Sequence, residues 1–185
     1  MQLTLFATAL SAATVAFAVP SSRAACDANG SACYSATHAF SYPDKEQYQR
    51  NLMDACTNDA AAVNGAGNLW GSASCVAAAI SFSKIWPSTV QGLAACKNSD
   101  IACQNEQPDL DQDIYASIVG GDGSAAVTQQ NYIDFIYSTL SAIGSADFPS
   151  STDNLVSTGW QPLVAWTKTG DSIPYSNLND FLHNA

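Results

Sequence analysis

Basic residues are scarce in this chain: six Lys and Arg stand against sixteen Asp and Glu, for a formal net charge of −10. No basic cluster occurs, so the average field repels a phosphate backbone and argues against a nucleic-acid partner. Glutamate is nearly missing, with Glu46 and Glu106 its two examples beside fourteen Asp. Neither a Gly-x-Ser-x-Gly elbow nor a Cys-x-x-Cys pair is present. Triad hydrolysis and a zinc centre both lose their usual signatures. After residue 18 no apolar run approaches the roughly 20 residues that a bilayer core requires. No membrane span is expected.

Six cysteines, 47% hydrophobic residues and 12% charged residues are present instead. This is the composition of a globular chain that is polar through Ser, Thr, Asn and Gln rather than through ions. Met1 to Ala18 is uncharged, mostly apolar, and ends in Ala16-Phe17-Ala18, the small-x-small form of a signal-peptidase site. Residues 1–18 are therefore expected to be a signal peptide cleaved before Val19, leaving 19–185 as a single secreted domain. In that oxidising setting Cys26, Cys33, Cys56, Cys75, Cys96 and Cys103 should form three disulfides. Six cysteines allow 15 pairings, and the expected set is local: Cys26 with Cys33, Cys56 with Cys75, Cys96 with Cys103. Asn29-Gly30-Ser31 is a glycosylation sequon, which makes Asn29 a candidate glycan site.

Periodicity predicts an all-α fold of several packed helices. The first opens at Ser41-Tyr42-Pro43-Asp44 and runs to about Val63, with Tyr48, Leu52, Cys56, Ala60 and Val63 on one stripe. A second, Ala-rich helix covers about Ser72 to Trp86 and stops at Pro87, which would let Cys56 and Cys75 face each other across a hairpin. A capping-box pattern at Ser88 to Gln91 starts a short helix ending near Lys97. Asp109 to Val119 forms the next, and Gly120 to Gly123 forms a linker. Thr128 caps the strongest helix, whose apolar face is Tyr132, Phe135, Ile136, Thr139, Leu140 and Ile143, before Gly144. Three shorter pieces, 151–157, 161–169 and 176–184, are separated by Gly159, Gly170 and Pro174.

Candidate chemistry is thin. Asp109, Asp111 and Asp113 alternate as calcium-loop ligands do, but Ile114 replaces the turn glycine and Gly120 the closing glutamate. An acidic helix N-terminus accounts for them better. Glu46 and Glu106 sit where solvated surface residues sit, His38 precedes a helix, and His183 lies in a last helical turn, so no catalytic residue is assigned. No metal or cofactor is implied. Trp86 and Trp166 fall among apolar neighbours and belong in the core, whereas Trp70 and Trp160 lie beside glycines and are the candidate partner-binding residues.

The ending Ile173-Pro174-Tyr175-Ser176-Asn177-Leu178-Asn179-Asp180-Phe181-Leu182-His183 follows a leader and a six-cysteine first half. In this overall character the chain resembles small secreted fungal proteins with no assigned activity. The resemblance implies an extracellular habitat facing a cell wall or a host, and it lends no catalytic or binding residue. The cysteine spacing differs from that of sterol-binding elicitins and of eight-cysteine haem-binding modules. The expected function is that of a non-catalytic secreted interaction protein, effector-like or cell-wall-associated, that binds an extracellular protein or glycan. Two alternatives remain open: a secreted glycan hydrolase using paired carboxylates, and a carrier holding a small apolar ligand between helices.

Overall fold

The Ala-rich segment that reads as enclosed by neighbours is the centre of the structure. A computed structural model describes residues 31–41, 45–63, 67–82, 86–102, 104 and 107–185. Among them the fold is all-α apart from one two-residue strand pair. Helix α1 spans Ser31–Ser41, α2 Gln47–Ala62, α3 Ala73–Ile80, α4 Trp86–Lys97 and α5 Ser99–Ala102. Helix α6 spans Gln112–Val119, α7 Gln129–Ala142, α8 Thr152–Leu155, α9 Gln161–Thr167 and α10 Tyr175–Asn184. Helix α3 packs against α2, α4 and α7, and Val76, Ala77, Ala78 and Ala79 are wholly buried. Small side chains let three neighbours approach its backbone at once, which a Leu-rich helix would prevent.

Local chemistry sets the element ends. Asp111 caps α6 by accepting from the backbone N–H groups of Asp113 (2.8 Å) and Ile114 (3.4 Å), as the acidic N-terminus predicts. Thr128 caps α7 through a reciprocal box with Asn131. Gly144, at φ +69°, closes it by letting Ser145 N–H reach the Leu140 carbonyl. The buried face of α7 is Tyr132, Phe135, Ile136, Thr139 and Leu140. Val127 and Thr128 (β1) pair antiparallel with Ile173 and Ser172 (β2), a clasp too short to announce itself by alternation.

Several expectations are corrected. Helix α1 lies upstream of the predicted first helix start. Helix α3 ends at Ile80 rather than near Trp86, because Ser81 turns its N–H and hydroxyl back onto the Ala78 carbonyl. Pro87 sits inside the first turn of α4, where its missing N–H costs nothing, instead of stopping the preceding helix. Gly159 does not separate two pieces: α8 and α9 are joined by a single π-helical turn, Val156–Trp160, in which Gln161 N–H reaches five residues back to Val156 O. The next residue, Pro162, has no donor to lose at this register change.

Of the three predicted disulfides, one is present and two are overturned. Cys56–Cys75 joins α2 to α3, with the Cα atoms 4.5 Å apart. Cys33 pairs with Cys96, not Cys26, and Cys96 therefore does not pair with Cys103. This bond ties α1 to α4 across a separation of 63 residues. Helical contact between α1 and α4, invisible to sequence proximity, brings the two sulfurs together. Cys26, Cys103, Asn29, Glu106 and the predicted leader all lie outside the described residues. Among the described residues no helix is long and apolar enough to cross a membrane.

Candidate functional site

The consecutive helices α1 and α2, with α4 from further along the chain, enclose a half-open groove of about 280 Å³. Helix α1 contributes Cys33, Thr37 and Phe40, the i, i+4, i+7 positions of one helical face. Helix α2 contributes Met53, Asp54 and Thr57, and α4 contributes Leu93, Cys96 and Lys97. The walls are therefore the rings and chains of Phe40, Met53 and Leu93 with the Cys33–Cys96 bond. Hydroxyls, one carboxylate and one ammonium form the polar positions. A larger depression of about 550 Å³ is bordered by Pro162, Ala165, Trp166 and Lys168. Those residues all belong to α9 and its end, and one element without a facing wall cannot enclose a ligand.

Phe40, at the groove wall, is set by a layer of rings and cations. Its ring lies 6.2 Å from Trp86, and Trp86 lies 5.2 Å from Phe82 in an edge-on arrangement. The Arg50 guanidinium stands 5.5 Å above Phe40, and Lys45 Nζ stands 5.5 Å from Phe82 and 5.4 Å from Trp86. Cation–π attraction and stacking fix these rings without hydrogen bonds. On the outward face of α1, Tyr34 is 74% exposed and stacks on His38 at 6.3 Å.

Trp70 and Trp160, read as available to a partner, are core residues. Trp70 is fully buried, and Trp160 is 4% exposed with its ring 5.6 Å from Tyr132. Gly159, beside Trp160, marks close packing rather than looseness. Trp86 is buried as expected, and Trp166 is half-buried, edge-on to Phe181 at 5.4 Å. No acceptor among the described residues meets the indole N–H of Trp70 or Trp86, so neither indole is oriented by a hydrogen bond of its own.

The polar residues considered for catalysis have structural tasks. Glu46 accepts from the Ser150 N–H (3.0 Å), the Ser150 hydroxyl (2.9 Å) and the Asn154 amide, pinning the start of α2 to the start of α8. Asp59 accepts from the hydroxyls of Ser72 (2.7 Å) and Ser74 (2.6 Å). His183 is held between two backbone carbonyls, Nδ1 at 2.7 Å from Asn179 O and Nε2 at 3.0 Å from Gln107 O. Asp109 accepts from the Asn179 amide at 2.9 Å. Among the described residues no three His, Cys, Asp or Glu side chains converge as a metal centre.

A buried hydrogen-bonded cluster was not foreseen. Gln49 Nε2 donates to the Ser81 carbonyl (3.0 Å) and to Tyr48 Oη (3.2 Å), and Tyr132 Oη donates to the Ile80 carbonyl (3.3 Å). Burial, with Glu46 nearby, holds Tyr48 ionisation far above the ordinary value of 10.0. Burial, with Tyr48 nearby, raises Tyr132 likewise. Both hydroxyls stay protonated in the folded state while the unfolded chain ionises them, so their contribution is complete below pH 10 and is lost as pH rises above it. Stability should fall by about 1.4 kcal/mol per pH unit for each such tyrosine. Urea titrations between pH 9 and 12 test this, and a flat profile would contradict it.

Comparison of the chain with protein families, curated proteins and solved structures finds no match, so nothing about activity is carried over from a relative.

Proposed function

We propose that this chain is an exported, non-catalytic interaction protein, effector-like or cell-wall-associated. In this reading the α1–α2–α4 groove receives an apolar group of an extracellular protein or glycan. The observation that carries it is the groove itself: apolar walls, a polar rim, and Asp54 as its one lining carboxylate. Paired-carboxylate hydrolysis needs two acids facing one substrate, whereas Glu46 and Asp59 are engaged in holding helices. Export is supported by the Met1–Ala18 pattern and by two disulfides, which persist in oxidising compartments. The volume, close to the roughly 300 Å³ at which small-ligand pockets begin, favours a second reading as a carrier of a small apolar molecule.

Thr37→Trp tests both. Thr37 is exposed at the groove wall, so an indole there fills the space without entering the core. On an array of glycans and extracellular proteins, the wild-type protein should bind a defined partner. The variant should bind it at least about tenfold more weakly, a loss of about 1.4 kcal/mol, with an unchanged unfolding midpoint. A partner bound equally by both proteins would place the contact elsewhere. One-to-one uptake of an apolar fluorophore, lost in the variant, would select the carrier. Cleaved glycan in the incubation would sink the non-catalytic reading.

A further inference from the structure

The two described disulfides differ in setting. Cys56 and Cys75 are 0% and 1% exposed, sealed between α2 and α3. Cys33 and Cys96 are both half-exposed, and their bond forms part of the groove wall. Helix α1 lies closely along α4 and Arg50 of α2 stands over its Phe40 ring, yet it buries little side chain. Of its described side chains Ala36 alone is buried, Phe40 packs partway against Trp86, and its main helical neighbour is α4. An 11-residue helix is below the length at which isolated helices persist in water. Its position is thus shared between packing along α4 and a covalent bond that solvent can reach.

We propose that Cys33–Cys96 is a thiol-reducible latch on the groove: a dithiol reductant opens it, α1 leaves α4, and the remaining helices with Cys56–Cys75 stay folded. A thiolate of the reductant attacks one of the two sulfurs; the S–S bond breaks and the other cysteine leaves as a thiolate that takes up a proton. The second thiol of the reductant then resolves the mixed disulfide and frees the first cysteine. Two electrons pass to the cysteine pair, and the reductant is oxidised to its own disulfide. Attack requires access to sulfur, which the groove grants at Cys33–Cys96. Packing withholds it at Cys56–Cys75 until the core itself opens. Departure of α1 removes the Thr37 and Phe40 wall and exposes Met53 and Leu93, so occupancy of the groove becomes dependent on the redox state. Only that last consequence rests on reading the groove as a docking site.

Native protein is treated with dithiothreitol, sampled over time, alkylated and peptide-mapped at these four cysteines. Cys33 and Cys96 should be alkylated more than about tenfold faster than Cys56 and Cys75, the difference between local and core opening. Hydrogen exchange on the half-reduced species should then show the amides of α1 exchanging at least about 100-fold faster, with α3 and α7 unchanged. Equal alkylation rates, or α1 amides that keep their protection after Cys33 and Cys96 are blocked, would overturn the latch. The Cys33→Ser/Cys96→Ser double variant should show the same α1 exchange without reductant. Should that variant not fold, the wild-type time course decides alone. If α1 is released yet binding of the array partner is unmoved, the latch stands and the docking reading fails.

Discussion

Gly159→Ala is expected to destabilise the fold by about 3 kcal/mol or more, at the upper end of what overpacking costs. A Cβ at this position would overlap the Tyr132 hydroxyl and stand 2.9 Å from the Ile80 carbonyl and 3.0 Å from Tyr132 Cζ. None of these atoms yields cheaply. Tyr132 is wholly buried and bonded to that same carbonyl, which belongs to the end of the central helix. Removing the hydroxyl should relieve the nearest overlap, so Gly159→Ala combined with Tyr132→Phe should be less damaging than the two single effects summed, by about 1 kcal/mol. Urea unfolding of the four proteins measures the cycle. A single variant within about 1 kcal/mol of wild type would mean that the π-helical turn can shift outward, contrary to its packing here.

Loss of the buried disulfide should rival that effect. Closing a loop of 19 residues restricts the unfolded chain by about 3 kcal/mol. Replacing both sulfurs by hydrogen leaves a small void between α2 and α3, for roughly 1 kcal/mol more. Cys56→Ala/Cys75→Ala is therefore expected to lose about 4 kcal/mol, a large part of the 5–15 kcal/mol of an ordinary domain. Chemical denaturation gives the number, and a loss below about 1 kcal/mol would show that helix packing alone fixes the α2–α3 contact. Loop length alone ranks the other bond higher, at about 4 kcal/mol for 63 residues. That ranking fails where the native state relaxes once the bond opens, and the peripheral α1 permits such relaxation.

Stripes and caps were legible because they are local. Tyr48, Leu52, Cys56 and Ala60 on α2, the acidic start of α6, the Thr128 cap and the α7 face all depend on residues within one or two turns. The Cys56–Cys75 bond was legible through the hairpin of α2 and α3. Helix α1 was not, although its amphipathic pattern matches that of α2 and α7, because Pro43 and the acids after it drew the first helix start downstream. Pro87 and Gly159 were misread as breakers because their local meaning depends on what surrounds them: a first turn in one case, a tyrosine pressed against the backbone in the other. Cys33–Cys96 and the groove depend on which helices meet, a property that no window of sequence contains. The closeness of Gly159 to Trp160 was the one available hint that this indole is enclosed.

Gln49 and Glu46 act on opposite sides of the same helical start. Gln49 holds the Ser81 carbonyl at the end of α3, and Glu46 holds the first residues of α8. The α2 side of the groove thus belongs to a rigid frame spanning three helices, and it moves only if that frame moves. In the docking reading, accommodation of guests of different size falls to the opposite side, which the Cys33–Cys96 bond fastens.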